Sequence, residues 1–368
     1  MSYQSRKGIL ENIFNSRNRY PICFFNFDRD SQPNGVPGLS TIFHSDTKEV
    51  LYRLLKEMEA SQASKEGVDI IVYTRGGDTN SVWPIVSLIR EFDASFEVIV
   101  PFRCHSSGTL LALGASKIHM GRLSELSPID PSTANAFNPS DGNGNPKSIS
   151  VEDMNAYMEM VDRYLVKGDN PLEGDTIGYS KQKFLEILTS HVEPLALGNV
   201  ERVYSQIREL AKNLLGGAGI ERSENTIDHI VNKFSKGFYS HSHPINRKEA
   251  SEVLGKQVGN LPESLESEVD SLLRSYEDSF NLREIYNVQY DLGSDLNKEV
   301  TYIGGIVESL DRSYVYETKG NWSQRSVIPN GINLNVPIGQ EIPIIPGFPV
   351  EQNFTTHSQN WVNNRENR

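Results

Sequence analysis

The sequence predicts an α/β fold: a parallel sheet covered by helices on both faces, then helical insertions, then a β-rich C-terminal extension. Three observations carry this. Short apolar runs alternate with helix-period segments over the first third of the chain, at connection lengths that imply parallel pairing. Two of the runs end in turns bearing Gly76-Gly77 and Ser106-Ser107-Gly108, at strand ends where open α/β sheets place their sites. Among the 368 residues, 37% hydrophobic side chains with 15 Phe, 15 Tyr and 3 Trp suffice for a sizeable core.

The elements follow in order. Pro21 to Phe27 (PICFFNF) is a short apolar, aromatic run and reads as a buried strand. Asp46 with Glu49 forms a capping-box pattern. Val50, Leu51, Leu54, Leu55 and Met58 then recur at helical spacing, predicting a helix over 47–60. Val68 to Thr74 (VDIIVYT) is a second strand. Trp83 to Phe92 suits a helix with Pro84 in its first turn. Phe96 to Phe102 is a third strand, Ser107 to Ala115 a small-residue helix and Lys117 to Met120 a fourth strand.

Residues 132–148 are loop by composition, rich in Asn, Ser, Gly and Pro. Helix returns from Val151, with Met154, Tyr157, Met158, Val161 and Leu165 on one face, and again in Phe184–Leu188, Val200–Leu215, Ile227–Phe234 and Lys248–Leu254. Beyond about 285 the character changes. Val300–Val307, Arg312–Thr318 and Ile332–Val336 read as strands, and the chain from about 350 as a weakly ordered tail. The expected division is 1–284 and 285–368.

Bulk properties exclude several classes. The formal net charge is −12 and no Lys/Arg-rich tract occurs, which argues against a nucleic-acid partner. The N-terminal residues lack a secretory apolar core. No run approaches the roughly 20 apolar residues needed to span a bilayer. The chain reads as cytoplasmic. Cys23 and Cys104 lie in or beside strand-like runs and read as buried free thiols.

Chemistry concentrates between Thr74 and Pro131. After the second strand, Arg75-Gly76-Gly77-Asp78 turns sharply and frees backbone N–H groups, donors of the kind that hold an oxyanion. After the third strand, Cys104-His105-Ser106-Ser107-Gly108-Thr109 brings Ser106 to a helix N-terminus, where developing negative charge is favoured. Taken singly, the first reads as a plain turn and the second as an N-cap. Together they put donors and a nucleophile on neighbouring loops.

Here the sequence resembles a known group. YTRGGD followed by CHSSGTLLALGASKIHMGRLSELSPIDP is similar to the serine dehydrogenase proteinase family, related to signal peptide peptidase A and the Clp proteolytic subunit. The likeness is dense over about 68–131, looser over 147–256 and absent beyond 285. It implies a Clp/crotonase-like fold of stacked ββα units and a serine peptidase acting on peptide or protein substrates. It further implies Ser106 as nucleophile, Gly77 and Ser107 amides as oxyanion donors and Gly76 as the residue shaping the turn. Ser107 is the second candidate nucleophile. Members of the fold commonly assemble, so a homo-oligomer is expected.

The general base is open between three residues. In the Clp subunit the triad histidine stands where this chain has Pro128-Ile129-Asp130-Pro131, and Asp130 reads as a turn acid. Signal peptide peptidase A relatives use a lysine before a helix start, which Lys147 ahead of Ser150-Val151-Glu152-Asp153 resembles. This makes a Ser106/Lys147 dyad the leading expectation, provided burial or positive neighbours lower the lysine pKa. The run Tyr239-Ser240-His241-Ser242-His243-Pro244-Ile245 supplies His241 and His243 as alternatives. His-x-His also invites a metal reading, but no further ligands stand at suitable spacing, so no metal is expected. His105 precedes the nucleophile and should point away from it. His191 falls in a family-like segment without assignable chemistry.

No cofactor motif such as GxGxxG occurs, so no cofactor is expected and a serine dehydrogenase activity is set aside. Two other functions stay open: coenzyme A thioester chemistry on the same fold, and an inactive or regulated scaffold. In the latter, 285–368 would bind a regulatory partner.

Overall fold

The computed structural model describes residues 3–32, 35–61, 66–130, 132–133, 137–140, 147, 149–161, 181–238, 240–329 and 344–364. Helix α1 (Tyr3–Arg17) leads into β1 (Tyr20–Asn26), and a two-residue strand β2 (Ser31–Gln32) precedes α2 (Thr47–Ser61). Then come β3 (Val68–Tyr73), α3 (Val82–Phe92), β4 (Glu97–Val100), β5 (Arg103–Cys104), α4 (Ser107–Leu113), β6 (Lys117–Met120) and β7 (Glu125–Leu126). The short strands β8 (Ser132–Thr133) and β9 (Ile149–Ser150) pair ahead of four helices: α5 (Val151–Val161), α6 (Lys181–His191), α7 (Pro194–Gly216) and α8 (Glu224–Lys236). Next are β10 (Ile245–Asn246), α9 (Arg247–Leu254), β11 (Val258–Asn260) and α10 (Glu263–Ser279). The chain continues through β12 (Tyr286–Asn287), α11 (Val288–Leu292), β13 (Asn297–Glu308), β14 (Ser313–Ser326) and β15 (Val350–Asn363).

The main sheet has eight strands in the order β11-β6-β4-β3-β1-β13-β14-β15. The first five are parallel, and β13 to β15 extend them antiparallel. Register explains why the strands are apolar throughout. Ile22, Ile70, Val98, Ile118 and Val258 stand opposite one another across the five parallel strands. All five belong to the core under α2, α3, α4, α7 and α8. One residue along, Cys23, Ile71 and Ile99 face the opposite core with Leu10 and Ile13 of α1 and Leu272 and Tyr276 of α10. Both faces are buried, so strict alternation is lost. Burying each of these larger side chains contributes about 1.5–3 kcal/mol.

A second sheet, β10-β7-β5, is held to the first by a bridge between Thr74 and Cys104. β4, β5 and α4 make one ββα unit of the expected Clp/crotonase-like kind, and its turn carries Ser106. The expected strands and helices up to Met120 form within a few residues of their anticipated limits. Leu165 and the expected strand Ile332–Val336 lie outside the described residues.

Among the elements that differ from expectation, two hold the ends of the chain. α1 was not anticipated, because its buried stripe of Tyr3, Arg6, Leu10 and Ile13 contains an arginine. That guanidinium donates to Glu308 Oε1 at 2.7 Å, and Tyr276 and Ser313 complete the carboxylate's partners. Val350–Asn363, expected as a weakly ordered tail, is instead strand β15, paired with β14 from Tyr314–Asn363 to Ser326–Val350. Its side chains are polar because it is an edge strand, and its order comes from main-chain bonds to β14 and from Phe354 and Trp361 packing on Trp322 and Tyr316.

Candidate active site

The Gly-Gly turn is built from the strand ends beneath it. Thr74, fully buried at the end of β3, donates its hydroxyl to Asn26 Oδ1 at 3.0 Å and accepts from the Gly76 N–H at 3.0 Å. Asn26 in turn donates to Thr41 Oγ1 at 2.8 Å. Beyond the turn, Phe43 N–H donates to Gly76 O and Asp78 N–H to Phe43 O, both at 2.8 Å, so segment 41–44 runs beside Gly77 as a parallel bridge. Gly76 has φ +110° and Gly77 φ +151°. A Cβ on Gly77 would stand 2.4 Å from the Phe43 backbone, and one on Gly76 2.7 Å from Ser106 Cβ and 3.2 Å from Ser106 Oγ. Only glycine fits at either position.

Ser106 therefore lies against the turn. Its backbone has φ +50° and ψ −111°, outside the regions open to L residues, an arrangement that costs about 1–3 kcal/mol and persists only when its surroundings impose it. Those surroundings are specific. His105 N–H donates to Thr74 O at 3.0 Å, Ser106 N–H to Ser127 Oγ at 2.7 Å, and Leu110 N–H to Ser106 O at 3.0 Å. Gly108 lets α4 close on β3: a Cβ there would meet Thr74 Cγ2 at 2.5 Å.

Ser106 is part-exposed at the mouth of α4. Ser107 is fully buried, its Oγ without a hydrogen-bond partner among the described residues. Among those residues the N–H groups of Gly77 and Ser107 also meet no acceptor. The nearby Cys104 thiol is buried and free, as is Cys23, and burial pushes the Cys104 thiol well above its ordinary range.

The three candidate bases are placed differently. His241 Nδ1 lies 3.0 Å from Asp130 Oδ1. That carboxyl is only 3% exposed, whereas the imidazole is half-exposed. The hydrogen bond to the Asp130 carboxylate raises the His241 pKa above the ordinary histidine value. Asp130 follows Ser127, which holds the Ser106 amide, by three residues. His241 is also close enough for its charge to act on His105. His243 points elsewhere, with Nε2 3.1 Å from Glu249 Oε1 and its ring stacked on Phe238.

Lys147 is exposed. Its backbone donates to Pro139 O and accepts from Asn138, each at 2.7 Å, and among the described residues its ammonium makes no hydrogen bond. His105 packs beside the turn, pushed down to about 4 by burial and by the Arg103 and Arg75 guanidiniums. It is neutral near pH 7, and its Nε2, though 3.1 Å from Glu125 Oε1, is not aligned for a hydrogen bond. His191 lies exposed at the end of α6.

The residue that sequence reasoning underrated is Asp130. A carboxylate within Pro-Ile-Asp-Pro has the local signature of a turn, and its partner is 111 positions away. The available signal was its occupation of the place where the Clp subunit carries its histidine.

Comparison with known proteins agrees with the motif-level resemblance. Residues 2–159 match the family model described as ClpP-like SDH-type serine proteinase. The match includes Gly76, Gly77, Ser106, Asp130 and Lys147 and ends before His241. An uncharacterized protein of Methanocaldococcus jannaschii is 26% identical over 274 residues, covering 74% of this chain and 78% of that protein. A second uncharacterized protein of the same organism is 30% identical over 97 residues, covering 26% of this chain and 32% of its own length. No described helix is long and apolar enough to cross a membrane.

Proposed function

We propose that this chain, whose residues 2–159 match the family model described as ClpP-like SDH-type serine proteinase, hydrolyses peptide bonds through an acyl-enzyme on Ser106, with His241 as general base and Asp130 as its orienting acid. The observation that carries the reading is the Nδ1 contact of His241 with a buried carboxylate, which leaves Nε2 as the ring nitrogen that could take a proton.

In this mechanism Ser106 Oγ attacks the scissile carbonyl carbon while His241 Nε2 takes the hydroxyl proton. The carbonyl oxygen becomes an oxyanion between the Gly77 and Ser107 N–H groups, where preorganised donors are worth several kcal/mol. His241 returns the proton to the leaving amine as the C–N bond breaks. A water then attacks the acyl-enzyme, giving its proton to His241, and Ser106 leaves with that proton. Asp130 accepts from Nδ1–H throughout, fixing the tautomer and supporting the imidazolium.

His241 is preferred over Lys147 because its Nδ1 meets a buried carboxylate, whereas Lys147 is exposed and its ammonium makes no hydrogen bond among the described residues. Hydrolysis of an unfolded polypeptide tests the reading. Wild type cleaves it, and Ser106→Ala and His241→Ala lose at least about 10³-fold. If His241→Ala keeps the wild-type rate and Lys147→Ala loses it, the base assignment is wrong. If Ser106→Ala keeps the rate, the whole reading is wrong.

A homo-oligomer belongs to the same reading, and the long edge strand β15 offers main-chain groups for pairing with a second copy. A monomeric mass at micromolar concentration would contradict it.

A further inference from the structure

The row of residues that anchors the Gly-Gly turn continues across the sheet into a pocket. Asn26, which holds Thr74, stands opposite Gly305 of β13; Gly305 stands opposite Tyr316 of β14, and Tyr316 opposite Trp361 of β15. Gly305 carries no side chain, and a Cβ there would come 3.6 Å from the Trp361 ring. Over this row runs segment 40–46, whose Phe43 bridges Gly77. Phe43 is buried beneath, so Ile42 and His44 on either side of it point outward, and Ile42 is 62% exposed. The space between the segment and the strands is a pocket of about 300 Å³.

The pocket adjoins the proposed oxyanion turn directly: Ile42 Cβ lies 2.9 Å from where a Cβ on Gly77 would be. A larger cavity of about 1030 Å³, at Asp311 and Arg312, sits at the other end of β1, away from Ser106. The chemistry of the smaller pocket is selective. Tyr316 and Trp361 meet edge to face with ring centroids 5.3 Å apart. Asp46 is the carboxylate in the lining, and the described lining holds no lysine or arginine. Asp46 reaches far enough in that its charge, after burial, raises the Tyr316 phenol. His44, 3.4 Å from Asp46, sits at the rim. Aromatic rings beside a carboxylate, with no lysine or arginine in the described lining, are surroundings that suit a guanidinium or ammonium group.

We propose that this pocket is a substrate subsite for an arginine or lysine side chain near the scissile bond, walled on one side by the C-terminal hairpin β14–β15. The proposal rests on Ser106 being the nucleophile. It gives the hairpin a role in choosing substrates, and it suits a chain of net charge −12, whose field draws basic peptides.

The test uses the full chain and fluorogenic peptides that differ only in carrying Arg, Leu or Glu at each position flanking the cleaved bond. At one position wild type should favour Arg over Leu and Glu by about 10-fold or more in kcat/KM. Asp46→Asn should lower that Arg-to-Leu ratio about 10-fold, and Trp361→Ala should lower it as well. Glu351→Gln, a charge change at the far end of β15, should keep the ratio. An unchanged ratio in both Asp46→Asn and Trp361→Ala overturns the subsite, and so does a wild-type preference for Leu or Glu at every position. Asp46 is exposed, so its variant folds even if Trp361→Ala does not. Fluorophosphonate labelling of wild type separates the two levels: labelled Ser106 with an unchanged ratio sinks the subsite alone, whereas no labelling sinks the nucleophile and the subsite together.

Discussion

His241 Nδ1 meets Asp130 Oδ1 at 3.0 Å, joining the loop after α8 to the segment that follows β7. In the Clp subunit, as the resemblance implies, histidine and acid occupy these two segments the other way round. In the proposed mechanism this chain keeps the pair and exchanges its members, since only the distance between imidazole, carboxylate and serine matters to the chemistry.

That pairing sets a pH dependence. The hydrogen bond with Asp130 raises the His241 pKa, and a base works only when neutral. The acid limb of kcat/KM should therefore lie above the ordinary histidine value of about 6.5. Asp130→Asn should move the limb to lower pH and reduce the plateau by about 10²–10⁴-fold. A pH–rate profile of both proteins checks this; an unmoved limb would remove Asp130 from the mechanism. The same raised pKa stabilises the folded state below the unfolded histidine pKa, a contribution lost as pH rises through the folded value. It is small, because the imidazole is half-exposed.

Gly76→Ala tests the fit of the turn against the nucleophile. The added methyl would stand 2.7 Å from Ser106 Cβ on a backbone with φ +110°. Stability should fall by about 1–3 kcal/mol. The rate of fluorophosphonate labelling should drop about 10²-fold, because a displaced hydroxyl loses its alignment. Stopped-flow labelling and urea unfolding measure the two effects separately. An unchanged labelling rate would mean that Ser106 does not depend on the turn.

Arg6→Met tests the tie between the two ends of the chain. The Arg6 guanidinium and Glu308 carboxylate are both almost wholly buried, and removing one charge leaves the other without its counter-ion. A loss of about 3–5 kcal/mol is expected by urea unfolding. Ser106 labelling of the protein that remains folded should proceed at the wild-type rate, since Glu308 stands opposite Cys23, on the side of the sheet covered by α1 and α10 and not by α4. A loss below about 1 kcal/mol would show that α1 does not depend on this contact for its docking.

What the sequence discloses and what it hides follow one rule: local pattern was readable, and long-range partnership was not. β3 and β4 declare themselves because both faces are buried, so VDIIVY and EVIV read as apolar runs. The two turns were readable only together, because a Gly-Gly turn and a Ser-x-Gly turn on consecutive strands put backbone donors and a hydroxyl on neighbouring loops. α1 was hidden by Arg6, a polar residue on a buried stripe that makes sense only once Glu308 is beside it. β15 was hidden by its Asn, Gln, Thr and Ser content, since its order comes from backbone bonds to β14. Asp130 and His241 were each legible as residue types, but their meeting depends on the packing of α8 against α7 and α9.

The most direct measurement is peptide mapping of the fluorophosphonate adduct by mass spectrometry on the wild-type chain. One modified residue is expected, Ser106, whose hydroxyl lies against Gly76 beside the Gly77 and Ser107 N–H groups, which meet no acceptor among the described residues. An adduct on Ser107, on a serine away from this turn, or on none would contradict it.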